Sequence, residues 1–150
     1  MNKVTRLEFL LPAMEQTLER GNNVIFSPNG TSMLPMLRSG KDQVVLSPIK
    51  GKLRKYDLPL YRRDNGQFVL HRIVAVGETY TCCGDNQLSC ETGIRPDQLI
   101  AVVTAFTRKG AEHCVTDWDY KLYCRFWVAS RPIRRVYYSL KRRLKKLLSR

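Results

Sequence analysis

The sequence predicts a mainly β protein with a helix at each end. Six short runs rich in β-branched and aromatic residues lie between Asn23 and Thr107, separated by Gly, Pro, Asn and Asp clusters. Residues 3–20 and 131–150 instead space their apolar side chains at helical intervals. A chain of 150 residues suits one domain with helical appendages. We therefore divide it into an N-terminal helix (1–21), a β-rich domain (22–110) and a C-terminal tail (111–150).

The first element is an amphipathic helix. Apolar residues recur three or four positions apart, as on one buried helix face: Val4, Leu7, Leu11, Met14 and Leu18. Pro12 either bends this helix or begins its second part, and Gly21 ends it. Charged residues interrupt the segment, so we expect it to be neither a secretory signal nor a membrane anchor.

The β-rich region contains one strand with a histidine. We expect strands at residues 23–26, 43–46, 58–61, 68–76, 79–83 and 99–107. Within 68–76, alternation places Val69, His71 and Ile73 on one face, and Leu70 and Arg72 on the other. A histidine on a largely apolar face needs polar partners. His71 is therefore a candidate functional residue.

The C-terminal region is predicted to be helical and basic. Residues 131–150 carry nine Lys and Arg residues and no acidic residue, which is more than two thirds of the net charge of +13. Their apolar residues fall on one helical face: Ile133, Val136, Tyr137, Leu140, Leu144, Leu147 and Leu148. An aromatic segment precedes them: Trp118, Tyr120, Leu122, Tyr123, Phe126 and Trp127.

A basic amphipathic helix of this kind is typical of binding in the plane of an anionic membrane, and aromatic residues are enriched at bilayer interfaces. We expect the contacts from Arg134, Arg135, Lys141, Arg142, Lys145 and Lys146. Two alternatives remain open: the helix packs on the β domain, or it binds nucleic acid. The interleaved leucines and the lack of a recognisable motif make nucleic acid the weaker of the two.

The cysteines and composition limit the other possibilities. Five cysteines, with Cys82 and Cys83 adjacent, favour free thiols in a reducing compartment. A zinc site from Cys90, His113 and one of the adjacent pair has no usual ligand spacing, so we expect no metal and no cofactor. No run approaches the roughly 20 apolar residues of a spanning helix. We expect a cytoplasmic protein, attached peripherally to the inner face of the cell membrane.

Three motifs supply the candidate catalytic residues. Ser32 lies in Gly-Thr-Ser-Met-Leu-Pro (residues 30–35), His71 directly precedes Arg72, and Asp85 lies in Gly-Asp-Asn. Taken singly, Ser32 and Asp85 are ordinary turn residues. Together the three supply the hydroxyl, base and carboxylate that catalysis by a serine nucleophile requires.

This combination resembles the signal peptidase I and LexA-type superfamily of serine peptidases, over residues 22–107. Most bacterial members have a lysine as the base, whereas archaeal and endoplasmic-reticulum type signal peptidases have a histidine. The resemblance implies a coiled β catalytic domain with Ser32 as nucleophile, His71 as general base and Asp85 as the acidic residue. Glu91 matches a supporting or alternative acidic position.

The implied reaction uses these groups in turn. His71 accepts the Ser32 proton as the hydroxyl oxygen attacks a peptide carbonyl, then returns it to the leaving amine, while Asp85 holds the imidazole. The backbone N–H of Ser32 is the first candidate for the oxyanion. We expect further substrate or oxyanion contacts from Gly30, Thr31 and Met33. Asp42 matches an acidic position that we expect to be structural.

Two features depart from the family pattern. Residues 55–61 replace the usual Gly-Asp turn and apolar strand, and residues 1–21 do not resemble the usual membrane anchor. We expect a serine endopeptidase acting on a peptide or protein substrate at the cytoplasmic membrane surface. The alternatives are a noncatalytic membrane-surface or partner-binding module on the same fold, and a LexA-like regulator that cleaves itself. The lack of a recognisable DNA-binding domain weakens the last.

Overall fold

Two antiparallel sheets form the centre of the molecule, with one helix before them and two after them. A computed structural model describes the backbone of residues 3–148 and the side chains of residues 10–145. The helices are α1 (Lys3–Glu19), α2 (Trp118–Ala129) and α3 (Arg131–Leu148). The strands are β1 (Val24–Phe26), β2 (Gln43–Ser47), β3 (Pro59–Arg62), β4 (Phe68–Leu70), β5 (Arg72–Val76), β6 (Tyr80–Cys83), β7 (Glu91–Ile94), β8 (Leu99–Arg108) and β9 (Ala111–Cys114). The predicted mainly β class is confirmed.

The first sheet is organised around its longest strand, β8. Its strand order is β1-β2-β8-β3-β4, and β9 also pairs with β8. Because β2 and β9 both pair with Ala105, Phe106 and Thr107, they lie on opposite edges of β8. The second sheet has the order β5-β6-β7. A single residue, His71, separates β4 in the first sheet from β5 in the second.

The strand expected at residues 68–76 is therefore two strands that meet at His71. The predicted alternation still holds across this break. Val69 and Ile73 pack in one core cluster with Tyr61, whereas Leu70 belongs to the other cluster. Consecutive residues at the junction consequently point to opposite sides of the chain.

Helix α1 packs against the larger of the two hydrophobic core clusters, the one that contains Leu70. The buried residues Leu11, Met14 and Leu18 recur on the predicted helical face, and Met14 and Leu18 join the larger core cluster. The helix continues through Pro12 and ends before Gly21, which has a φ of 81°. The side chains of Val4 and Leu7 lie outside the described residues.

The sheet extends past the boundary expected at residue 110. Lys109 and Gly110 have φ values of 52° and 81°, as in the tight two-residue turns that join hairpin strands. They connect β8 to β9, which pairs from Ala111 to Cys114. Residues 111–114 therefore complete the first sheet instead of belonging to the tail.

Helix α2 has an inner and an outer face. Tyr120 and Cys124 are buried, and Tyr123 and Trp127 are half-buried beside them. Three other large side chains of the helix are exposed: Trp118, Leu122 and Phe126. The aromatic segment expected at a bilayer is thus shared between the protein interior and solvent.

Helix α3 exposes the apolar side chains that are described, up to Leu144. Ile133 is 74% exposed and Leu144 is 58% exposed, and Val136, Tyr137 and Leu140 between them are also exposed. Packing of this face on the β domain, one of the alternatives left open above, does not occur for these side chains. None of the helices in residues 3–148 is both long and apolar enough to span a membrane.

Candidate active site

Ser32 and His71 line the same open cavity, which has a volume of about 250 Å³. Ser32 is half-buried on a turn between β1 and β2, and His71 is 3% exposed at the junction of the two sheets. The hydrogen bonds of residues 10–145 include none between these two side chains. Catalytic hydrogen bonds often become short only when substrate binds. The fold therefore brings the proposed nucleophile and base to one cavity.

The Gly-Asp-Asn motif supports the turn that carries Ser32. The Asn86 N–H donates to the Ser32 carbonyl oxygen at 2.8 Å, and Asn86 Nδ2 donates to the Thr31 carbonyl oxygen at 3.1 Å. A Cβ atom added at Gly84 would lie 2.6 Å from the Ser32 carbonyl oxygen. Only glycine allows so close a backbone approach. The motif thus fixes the backbone of the turn that carries Ser32.

The imidazole of His71 is held at Nδ1. Glu91 Oε1 and the Tyr61 hydroxyl oxygen each lie 3.3 Å from this nitrogen. Arg63 in turn holds Glu91 through a two-point ion pair, in which Arg63 Nε donates to Glu91 Oε2 at 2.7 Å. A carboxylate at Nδ1 favours the tautomer with the proton on that atom. The other ring nitrogen, Nε2, is then free to act as a base.

The charges around His71 suit a neutral base. Burial lowers the pKa of His71 below its ordinary value of 6.5, and the opposing effect of Glu91 is smaller. Arg63 lowers the pKa of Glu91 through their hydrogen bonds, against the effect of burial. At neutral pH the imidazole is therefore uncharged, and the carboxylate beside it is ionised.

Asp85 does not hold the imidazole, and this corrects the expectation from the motif. Its Oδ1 accepts from Arg72 Nε and its Oδ2 from Arg72 Nη2, both at 2.8 Å. The two side chains are 2% and 0% exposed. The physical reason is alternation: His71 and Arg72 are consecutive and point to opposite sides, and Asp85 lies on the side of Arg72. The carboxylate beside the imidazole is Glu91.

Arg72 also connects the site to α2. Its Nη1 donates to the Tyr120 hydroxyl oxygen at 2.9 Å, and its guanidinium lies over the rings of Tyr120 and Tyr123 at 5.5 and 5.7 Å. The Tyr123 hydroxyl donates to Asp85 Oδ2 at 2.9 Å. The inner face of α2 is therefore part of the scaffold that positions the Gly-Asp-Asn motif.

The residues expected around the oxyanion take different positions. Gly30 and Met33 line the cavity, whereas the Thr31 carbonyl is already bonded to Asn86. The Gly30 N–H donates to Ser39 Oγ at 3.0 Å. In the described part of the chain, the Ser32 N–H donates to no acceptor. The Ser32 N–H is the best-placed candidate to stabilise an oxyanion.

Asp42 has the structural role expected of it. It is 1% exposed and accepts hydrogen bonds from Arg38 N and Nε, at 2.8 and 2.9 Å, and from Lys109 N at 3.2 Å. The hydrogen bonds from Arg38 hold the pKa of this carboxyl well below its usual range. The interaction joins the end of the serine turn to the β8–β9 hairpin.

Three contributors to the site were missed from the sequence: Tyr61, Arg63 and Arg72. Arg72 had a recognisable signal, because an arginine inside an apolar strand requires a buried carboxylate partner. Tyr61 and Arg63 had no comparable signal.

Among the described residues, no group of three or more His, Cys, Asp and Glu side chains is placed to hold a metal ion. No protein-family model matches the chain, and no curated protein matches it significantly.

Proposed function

We propose that this chain is a serine endopeptidase of the signal peptidase I and LexA type, in the branch that uses a histidine base. Ser32 is the nucleophile, His71 the general base and Glu91 the carboxylate that orients the base. The observation that carries the proposal is the shared cavity of Ser32 and His71, with the imidazole held from behind by Glu91.

The proposed reaction follows from this arrangement. The neutral His71 takes the Ser32 hydroxyl proton through Nε2 while the serine oxygen attacks a peptide carbonyl. The resulting imidazolium is stabilised by ionised Glu91, and the oxyanion by the Ser32 N–H. His71 then protonates the leaving amine, and water hydrolyses the acyl-enzyme by the same route. The family resemblance suggests small side chains before the cleaved bond.

Asp85 has a positioning role in this proposal. Its backbone neighbours hold the Ser32 turn, and its side chain holds Arg72, the residue after His71. One buried ion pair therefore joins the segment that carries the base to the loop that supports the nucleophile. This arrangement explains why both Asp85 and the His-Arg pair belong to the motif even though Asp85 does not contact the imidazole.

The exposed face of α3 supports attachment to an anionic membrane surface. Leu140 and Leu144 are 53% and 58% exposed. Five basic side chains of the helix are also exposed: Arg135, Lys141, Arg142, Arg143 and Lys145. Arg134, expected among the membrane contacts, is half-buried and donates to the Asp85 carbonyl oxygen at 2.9 Å. The side chain of Lys146 lies outside the described residues.

Vesicle sedimentation tests the membrane part of the proposal. The full chain should pellet with vesicles containing phosphatidylserine, and less at high salt, because each basic residue near the surface contributes about 1 kcal/mol. A Leu140→Ser/Leu144→Ser variant should lose most of this binding. Ile25→Ser, at an exposed apolar position on β1, is the matched control. Equal pelleting of the double variant and the wild type would contradict attachment through α3.

Peptide cleavage tests the catalytic part. Wild-type protein with anionic vesicles should cleave members of a peptide library after small residues, and mass spectrometry locates the cut. Ser32→Ala should abolish cleavage, and Ser89→Ala, at an exposed serine outside the cavity, should not. Vesicle binding without cleavage would favour the noncatalytic membrane-surface alternative.

A further inference from the structure

Two cysteines oppose each other at the base of the loop that supports Ser32. Strands β6 and β7 are antiparallel, and Cys82 pairs with Glu91. One further step in this register places Cys83 opposite Cys90. The Cys83 Sγ donates to the carbonyl oxygen of Ser89, the residue before Cys90, at 3.2 Å. Opposed residues have Cβ atoms about 4.5–5.5 Å apart, and a disulfide needs about 3.5–4.5 Å, so a small movement joins them.

The two thiols differ in access. Cys90 is exposed, and its Sγ lies 2.9 Å from Arg131 Nη2. Cys83 is 2% exposed, and burial raises its pKa to about 12. Cys90 is therefore the thiol that meets an external reagent first, and Cys83 is the neighbour that reacts second.

We propose that Cys83 and Cys90 form a reversible intramolecular disulfide with a low-molecular-weight disulfide as the oxidant. The Cys90 thiolate attacks the reagent, forming a mixed disulfide and releasing one thiolate. The Cys83 sulfur then attacks the Cys90 sulfur and displaces the second thiolate. Two S–H bonds are lost and one S–S bond forms, while the reagent accepts two electrons and two protons to become two thiols.

The bond closes the loop at residues 84–89. That loop contains the Asn86 N–H that binds the Ser32 carbonyl oxygen, and Glu91 follows Cys90 directly. The disulfide thus ties the support of the serine turn to the strand that carries Glu91. The modification site rests on the β6–β7 register and the exposure of Cys90, and it stands whether or not Ser32 is a nucleophile.

The test is oxidation of the full, reduced chain with oxidised glutathione, followed by alkylation under denaturing conditions. Cys83 and Cys90 should both become protected with no glutathione added to either, and the exposed Cys114 is followed separately on its own peptide. A protease that cuts before aspartate separates Cys83 from Cys90 at Asp85, so mass spectrometry identifies the linked peptides. A low-molecular-weight thiol should restore all five thiols.

Paired variants assign the bond. Cys82→Ala should still form the Cys83–Cys90 disulfide. Cys82 lies on the opposite side of β6 from Cys83 and packs in the core cluster that contains Tyr61. Cys83→Ala should leave Cys90 only as a mixed disulfide with glutathione. The proposal is wrong if the wild type also stops at that mixed disulfide. It is equally wrong if the oxidised wild type links Cys90 to Cys82, or to Cys114 of another chain, instead of to Cys83.

Discussion

Replacing Asp85 by asparagine tests the buried ion pair that joins the two halves of the site. The substitution keeps the size of the side chain but leaves the Arg72 guanidinium without its counter-charge. Arg72 is 0% exposed and makes two hydrogen bonds of 2.8 Å to the carboxylate. Removing one partner of a buried pair costs about 3–5 kcal/mol. Because the amide that replaces the carboxylate still offers one oxygen, we expect a loss of about 3 kcal/mol in the free energy of unfolding.

Such a loss is large for a domain whose total stability is about 5–15 kcal/mol. It should lower the midpoint of thermal unfolding by about 6–12 °C, since each kcal/mol shifts a domain of this size by about 2–4 °C. Urea unfolding followed by circular dichroism measures the change. A double variant that also replaces Arg72 by methionine should recover part of the stability, because no unpaired charge remains.

The matched control is Asp64→Asn, at a surface pair. Asp64 lies 3.1 Å from Arg95, and their side chains are 78% and 49% exposed. We expect this substitution to change the stability by less than about 1 kcal/mol. If Asp85→Asn cost no more than Asp64→Asn, the assignment of Asp85 as the buried partner of Arg72 would be refuted.

Three further predictions concern the catalytic groups and the serine turn. Glu91→Gln should lower kcat by about 10²-fold or more, because the imidazolium loses its counter-charge. Steady-state kinetics on a cleaved peptide measures kcat. An unchanged kcat would exclude Glu91 as the orienting carboxylate. The cleavage rate should be lost as the pH falls through the pKa of His71, which lies below 6.5. Glu91→Gln should shift this acidic limb of the pH–rate profile to lower pH, because Glu91 raises the pKa of His71. An acidic limb above pH 6.5 would contradict the assignment of His71 as the base. Gly84→Ala should lower the free energy of unfolding by about 1–3 kcal/mol, because its Cβ would lie 2.6 Å from the Ser32 carbonyl oxygen. Gly77→Ala is the control, since its Cβ would lie 3.7 Å from the nearest atom, the Thr79 carbonyl oxygen. We expect Gly77→Ala to be tolerated in the same urea titration.

The strands with strong β-branched and aromatic content were predictable from the sequence. The runs at 43–46 and 99–107 correspond to β2 and β8, and the expected helix at 3–20 corresponds to α1. Strand β7 was missed because Glu91–Ile94 is short and contains a glycine. Strand β9 was missed because its hairpin turn uses Lys109, a residue type that rarely adopts positive φ.

The partners within the site were harder to predict than its members. The motifs located Ser32 and His71, which share a cavity, but motif order along the chain does not reveal which carboxylate faces which base. Alternation across the His71–Arg72 step decides this, because the two side chains point in opposite directions. Glu91 reaches the imidazole through the pairing of β7 with β6, and β7 was not among the strands expected from the sequence.

Catalysis by Ser32 and His71 is tested most directly by the rate at which the wild type, Ser32→Ala and His71→Ala cleave a small-residue peptide library in the presence of anionic vesicles. We expect cleavage by the wild type and background rates for both variants, whose circular dichroism spectra remain those of the folded protein. Cleavage that persists in Ser32→Ala, or a wild type that cleaves neither the library nor itself, would contradict it.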